Sequence, residues 1–284
     1  NMKAFILCAG YATRLGKLTE NTPKALLEVQ GKSFLQLLLD NLNEIPEIDE
    51  VVIISNHKFY KNFVDAKSAG KMVTDKVVTI LDDGTSSNED RLGAVGDVAF
   101  ALNKIGYEGE SMILVADNWF DFKISDIYKF YRGKDRGNTV FGKFETSEKV
   151  LRGGAVAHVD PKTCKIESLQ EKPAVPDGNY ACGAFYIYNA DTTKKIHKFM
   201  AEKEKDNNIG DAPGYFPAWL VTNNEADVYF YDIAPYHNVD VGTLDTYHNI
   251  DKIIDSCNRE VESYFSNPDG RKYAVASDWT EIIK

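Results

Sequence analysis

Five short apolar runs, at residues 4–7, 51–54, 77–81, 112–115 and 139–144, punctuate the first half of the chain. Each is too short for a core helix and too continuous for a strand with one wet face. Runs of this kind suit strands buried on both sides, as in a largely parallel sheet covered by helices. The stretches between them, 33–42, 59–69, 92–102 and 124–131, place apolar residues three and four apart, the spacing of helices laid on such a sheet. The expectation is α/β layering.

After residue 152 the character changes. Residues 154–159, 165–169 and 182–188 are β-rich and separated by proline and glycine turns, which predicts antiparallel strands and hairpins. Helical patterns return at 191–205, 213–221 and 244–265, with a last strand-like run at 226–231. No internal repeat or low-complexity linker interrupts the chain. One continuous domain over residues 2–265 is therefore expected, with halves at 2–145 and 146–265, and a weakly periodic tail at 266–284. A length of 284 residues suits one large domain.

With 43% apolar and 27% charged residues, the chain has the composition of a globular protein rather than a disordered one. Its net charge of −10 has the wrong sign for a surface that tracks phosphate backbones or anionic lipid, so neither nucleic acid nor membrane is expected as a partner. No stretch is long and apolar enough to span a bilayer, and no basic leader precedes an apolar segment, so a cytoplasmic protein is expected. Asn1, ahead of Met2, is set aside. The four cysteines, Cys8, Cys164, Cys182 and Cys257, form no C-x-x-C pair, and no histidine stands at zinc-ligand spacing. Reduced, buried thiols are the expectation.

The first strand runs into Cys8-Ala9-Gly10-Tyr11-Ala12-Thr13-Arg14-Leu15 and, one short loop later, Thr22-Pro23-Lys24-Ala25-Leu26. A small-residue turn after a buried parallel strand can aim backbone N–H groups at an anion beyond the sheet's carboxyl edge. Two familiar phosphate loops do not fit. Ala12 and Leu15 replace glycines of the dinucleotide fingerprint and Pro23 interrupts the helix it requires. Five residues rather than four separate Gly10 from Gly16, and Leu18 follows Lys17, so the P-loop fails as well.

The spacing from Gly10 to Arg14 to Pro23-Lys24 resembles the signature loop of the sugar-1-phosphate nucleotidyltransferases, the family of glucose-1-phosphate thymidylyltransferase and mannose-1-phosphate guanylyltransferase. Three further segments resemble that family in the same order: Ala116-Asp117-Asn118, with alanine for the family's glycine; Glu171-Lys172-Pro173; and Asp240-Val241-Gly242-Thr243. The resemblance implies an α/β fold, a Rossmann-like three-layer sandwich with a mostly parallel mixed sheet and a β-rich sugar-binding half. It implies a reaction in which a sugar 1-phosphate attacks the α-phosphorus of a nucleoside triphosphate and pyrophosphate leaves. Ala9, Gly10, Tyr11, Ala12 and Thr13 would wrap the triphosphate, with Arg14 on the leaving pyrophosphate and Lys24 on the α-phosphate side. Asp117 and Asp240 would hold Mg2+. Glu171, Lys172, Gly154 and Gly183 would bind the sugar phosphate. Homo-oligomers are common in the family.

The base would be read by residues 82–88 together with Arg91-Leu92-Gly93-Ala94-Val95-Gly96, which resembles the family's Leu-Gly-Thr-Ala-Gly helix start; Asp83 and Gly93 are the candidates there. The residue that usually selects a pyrimidine has no counterpart, and residues 211–219 lack the arginine often found at that point, so base and sugar stay open. Each tripeptide alone has a structural alternative: an aspartate at a strand end commonly caps a turn, and a basic residue beside a turn is commonly only solvated. Three rivals remain: a cytidylyltransferase acting on phosphocholine or another small phosphorylated alcohol, a catalytically silent nucleotide-sugar-binding regulatory protein, and a glycosyltransferase of similar layering. The β-rich second half disfavours the first, the two metal-type acids disfavour the second, and the absence of an Asp-x-Asp pair after a buried strand disfavours the third.

Overall fold

The structure is a computed structural model that describes residues 1–206, 210–267 and 279–283. Its centre is a nine-stranded sheet built from β1 (Met2–Cys8), β2 (Ile48–Ser55), β3 (Val77–Asp82), β4 (Glu110–Val115), β5 (Asn138–Phe144), β6 (Ala155–Val159), β7 (Ile166–Glu171), β8 (Tyr180–Tyr188) and β9 (Val228–Asp232). The main path runs β7-β6-β8-β4-β1-β2-β3, with β5 also paired to β8 and β9 to β5. β1 lies parallel to β2 and β4, and β2 parallel to β3. β8 is antiparallel to β4, β5 and β6. Its residues 180–182 pair with β6 while 185–188 pair with β4, so one strand joins the parallel half to the antiparallel half.

Alternation along the buried strands fills two separate layers. Ala4 and Ile6 of β1, with Met112 and Leu114 of β4, pack against Leu38, Phe63 and Tyr131 of the helices Phe34–Leu42, Tyr60–Ser68 and Ile124–Gly133. Phe5 and Ile113 point the other way, into Val98, Leu102, Phe199 and Trp219 of the helices Ala94–Ile105, Ala190–Lys205 and Tyr215–Thr222. The fold is a three-layer α/β sandwich on a mixed, mostly parallel sheet. Local chemistry sets the element ends: Ser33 precedes the first helix, and its hydroxyl accepts a 3.0 Å hydrogen bond from the Gln36 N–H.

The helix expected over 244–265 is two helices, Leu244–His248 and Ile250–Ser266. Asn249 separates them: its backbone leaves helical geometry, at φ −104° and ψ 12°, and its side-chain amide donates to the Asp245 carbonyl at 2.8 Å. An asparagine that bonds its own backbone neighbourhood competes with helix continuation. Of the tail, residues 268–278 lie outside the described residues. Trp279, Ile282 and Ile283 pack onto a third apolar cluster under the last helix, with Val239, Ile250 and Ile254.

That cluster borders a buried ionic group. His237 is 3% exposed; its Nδ1 lies 3.1 Å from Asp121 Oδ2 and its Nε2 2.5 Å from Glu260 Oε2. Burial opposes the imidazolium, but hydrogen bonds to Asp121, Cys257 and Glu260 outweigh it and raise the pKa to about 10. A histidine pKa raised on folding stabilises below the ordinary imidazole range and loses that contribution as pH rises through the folded value. His237→Leu leaves two carboxylates facing one another, with an expected loss of about 3–5 kcal/mol of stability. Urea unfolding at pH 7 and pH 10 checks this: the gap between wild type and variant should narrow at the higher pH.

Candidate active site

The strands β1 to β4 end on one edge of the sheet, and the first loop of the chain crosses it. Asn56, fully buried, donates to the Ala9 carbonyl at 3.0 Å. Tyr11 donates to the Thr85 carbonyl at 3.2 Å, and the Thr19 hydroxyl to the Ala12 carbonyl at 2.9 Å. Ala12 is held in the left-handed region, φ 50° and ψ 44°, where a residue with a Cβ is uncommon. The loop is thus pinned at Ala9, Tyr11 and Ala12. Among the described residues no protein acceptor engages the N–H groups of Gly10, Tyr11 and Ala12. Successive N–H groups beside a left-handed residue form a concavity suited to an anion.

Asp117 follows β4, and the next residues, Asn118–Phe120, pair antiparallel with Asn238–Asp240, setting Asn118 opposite Asp240. The Val241 N–H donates to the Asp117 carbonyl at 3.2 Å. Two acids from distant parts of the chain therefore become neighbours through backbone pairing. Lys24 Nζ lies 3.8 Å from Asp117 Oδ2, with the lysine side chain 12% exposed and the aspartate 44%. Desolvation raises the Asp117 pKa; Lys24 opposes the rise and the charge of Asp240 adds to it. Arg14 closes the group. A Cβ at Gly242 would sit 2.8 Å from the Arg14 guanidinium and 3.6 Å from Asp240 Oδ1, so a side chain there would push the arginine from this position. Gly242 stands in the same Asp240-Val241-Gly242-Thr243 segment as Asp240, and the resemblance alone assigns it no role.

A cleft of ≈ 690 Å³ runs from these residues into the β-rich half; Arg14, Asp117, Asp240, Gly154, Glu171, Lys172 and Gly183 all line it. Lys172 has φ 48°, and its N–H donates to the Gly154 carbonyl at 2.8 Å. A left-handed lysine is a local backbone cost maintained by its surroundings. Burial raises the Glu171 pKa, and neighbouring Lys172 offsets part of the rise. Glu171 Oε2 would be only 2.0 Å from a Cβ at Gly214, so a side chain there would displace the Glu171 carboxyl, a contact between distant segments that no sequence pattern shows.

The two glycines predicted for the sugar side differ. A Cβ at Gly154 meets nothing within 4 Å, whereas at Gly183 it would collide with the Phe141 ring at 2.0 Å. Gly183 is needed for packing whatever else it does. Gly183→Ala should lower the melting temperature by several degrees, while Gly154→Ala should melt like wild type; differential scanning calorimetry of the pair decides.

Asp83 and Gly93 do not line the cleft. Gly93, at φ 79°, precedes the helix Ala94–Ile105, and its carbonyl accepts from the Asp97 N–H at 2.9 Å. Asp83 Oδ1 accepts from the Thr85 N–H and hydroxyl, at 2.9 and 2.7 Å. Its carboxyl turns inward toward Asp97, which no motif singles out. Asp97 is 6% exposed, and burial, reinforced by its hydrogen bond to Asp83 and the charge there, raises its pKa to about 10. At neutral pH Asp97 is held as the protonated acid beside Asp83. An acid whose pKa is raised on folding costs no stability below its unfolded pKa and progressively more above it, up to ~1.4 kcal/mol per pH unit. Asp97→Asn supplies the donor without the proton, so its stability relative to wild type should rise from pH 4 to pH 9 in chemical denaturation.

Comparison with known proteins places this arrangement. The family model described as "Nucleotidyl transferase" matches residues 3–256. The chain belongs to the nucleotidyl transferase family. It is 26% identical over 243 residues to the mannose-1-phosphate guanyltransferase of Schizosaccharomyces pombe, covering 85% of this chain and 61% of that one. It is 26% identical over 225 residues to mannose-1-phosphate guanylyltransferase 1 of Arabidopsis thaliana, covering 76% and 58%. A third relative is the UTP–glucose-1-phosphate uridylyltransferase AglF of Haloferax volcanii, 25% identical over 213 residues, covering 74% and 82%. Against several plant relatives the chain spans 55% of the relative's own length. A crystal structure from Bacillus anthracis, assigned as a glucose-1-phosphate thymidylyltransferase, superposes with a TM-score of 0.66 at 18% identity over 87% of this chain and 93% of that one. The fold is shared with it.

Among the described residues no cluster of three or more His, Cys, Asp or Glu side chains could hold a metal ion. Asp117 and Asp240 nonetheless fit magnesium, which is commonly bound through one or two carboxylates and completes its shell with water and substrate phosphates.

Proposed function

We propose that this chain forms a nucleoside-diphosphate sugar and pyrophosphate from a nucleoside triphosphate and a sugar 1-phosphate, in the cytoplasm, with magnesium. The observation that carries the reading is that Asp117, Asp240 and Arg14 line one cleft with Glu171 and Lys172, with Lys24 paired to Asp117. In-line displacement at the α-phosphorus crowds three anionic groups together, and such a reaction is accelerated chiefly by positioning and by fixed positive charge. The nucleophilic phosphate oxygen is already ionised, so no catalytic base is required. Residues 2–145 would receive the nucleotide and 146–265 the sugar phosphate.

In this reading the N–H groups of Gly10, Tyr11 and Ala12, with Ala9 and Thr13 beside them, hold the triphosphate. Arg14 meets charge growing on the departing pyrophosphate, and Lys24 steadies the α-phosphate side while offsetting Asp117. Lys172 neutralises the incoming phosphate, and Glu171, Gly154 and Gly183 border the sugar. Asp83 and Gly93 act on the base from beneath, through the shape of the loop. Magnesium held by Asp117 and Asp240 would draw charge from the phosphate oxygens.

Removing one cation that contacts developing charge is expected to lower the rate by roughly 10²–10³, about 2.7–4 kcal/mol. Pyrophosphate release should be measured for four nucleoside triphosphates against a panel of sugar 1-phosphates. Lys172→Ala and Asp240→Asn should lose activity by that order with thermal unfolding within a few degrees of wild type, and EDTA should abolish turnover reversibly. Full turnover in either variant would refute its role, and no release from any combination would refute the activity.

A further inference from the structure

The cleft wall carries a lysine that the proposed chemistry does not use. Lys143 on β5 lines the cleft with Phe141, Ile233 and Trp279. Its side chain is partly buried, yet among the described residues no hydrogen bond or ion pair reaches its ammonium group. The charged groups facing it are engaged elsewhere. Asp121 and Glu260 flank the imidazole of His237. Glu145 accepts from the Ser147 N–H at 3.0 Å, and Asp232 from the Ala234 N–H at 2.9 Å. Burial lowers the Lys143 pKa even though Glu260, Asp121, Cys257 and Glu145 all act to raise it. A lysine drawn partly out of water without a partner is a cost to the fold unless something else completes its hydrogen bonds.

Trp279 supplies the second half of the feature. It reaches the cleft from beyond the last long helix, and its ring centroid lies 6.4 Å from that of His237. An indole and an ammonium group lining one cleft offer an apolar face and hydrogen-bond donors together, the combination that suits a sugar ring with C–H groups on its face and hydroxyls at its edge.

Resting on the reading of the cleft as a sugar-phosphate site, we propose that Lys143 and Trp279 form the sugar-ring subsite, with the ammonium donating to a ring hydroxyl and the indole packed on the ring face. The acceptor is a neutral hydroxyl rather than an added carboxylate or phosphate, because Asp121, Glu145, Asp232 and Glu260 outnumber the cations Lys143 and His237 there and leave the local field unfavourable to a further anion. These two residues would then select among sugar 1-phosphates that share the same phosphate chemistry.

Calorimetric binding of sugar 1-phosphates, without and with nucleotide, tests this beside pyrophosphate release, using the full chain. Lys143→Met keeps the buried stem and removes the donor. It should weaken binding of the preferred sugar 1-phosphate about tenfold and raise its KM alike, while the nucleotide KM changes less than twofold. One monodeoxy sugar 1-phosphate should bind wild type as weakly as the parent sugar binds Lys143→Met, and should lose nothing more in that variant. Sugar 1-phosphate should quench wild-type tryptophan fluorescence, and Trp279→Phe should remove the quench although Trp119 and Trp219 remain. Unchanged sugar binding in Lys143→Met, or a preference for a carboxylate-bearing sugar that the variant loses, overturns the assignment. Wild type that binds sugar 1-phosphates without releasing pyrophosphate sinks the parent reading and leaves this one standing; wild type that binds none sinks both.

Discussion

The pairing of Asn118–Phe120 with Asn238–Asp240 is the constraint on which the rest of the site depends. It is a short ribbon, and three backbone pairs alone would be marginal in water. What holds it is burial on either side: Phe120 sits in the core beneath the sheet, Val239 and Val241 in the cluster under the last helix. His237 adds an ionic tie at the ribbon's edge, reaching Asp121 on one strand's exit and Glu260 on the helix. Through this chain of contacts, the packing of the C-terminal helix fixes how close Asp240 comes to Asp117.

Two carboxylates brought together repel, and the structure answers that repulsion with cations from the opposite end of the chain. Lys24 approaches Asp117, and Arg14 lies over Gly242 beside Asp240. None of these side chains comes from a regular helix or a long strand. They stand on a loop, on 3-10 turns and on a three-residue strand carried by the sheet edge, where a rigid scaffold positions residues that ligands can reach.

Much of this was legible in the sequence because it is local. Buried strands announce themselves as apolar runs, and the loop at Gly10 to Lys24 carries its own spacing. The residues that escaped notice owe their importance to packing between distant segments. Gly242 matters because Arg14 lies on it, and Gly214 because Glu171 does. Asp97 looks like an ordinary acid in the first turn of a helix, and only the fold sets it against Asp83 away from water. The break at Asn249 was missed because the apolar periodicity on either side keeps nearly the same phase, and the asparagine's side-chain bond to Asp245 is invisible to that pattern.

β8 has a mechanical meaning. Because one end of this strand is laced to β6 and the other to β4, the wall that carries Glu171 and Gly154 cannot swing away from the wall that carries Asp117 as two bodies on a hinge would. The spacing between the two banks of the groove is therefore set by the backbone pairing of a single strand rather than by a loop joining two bodies.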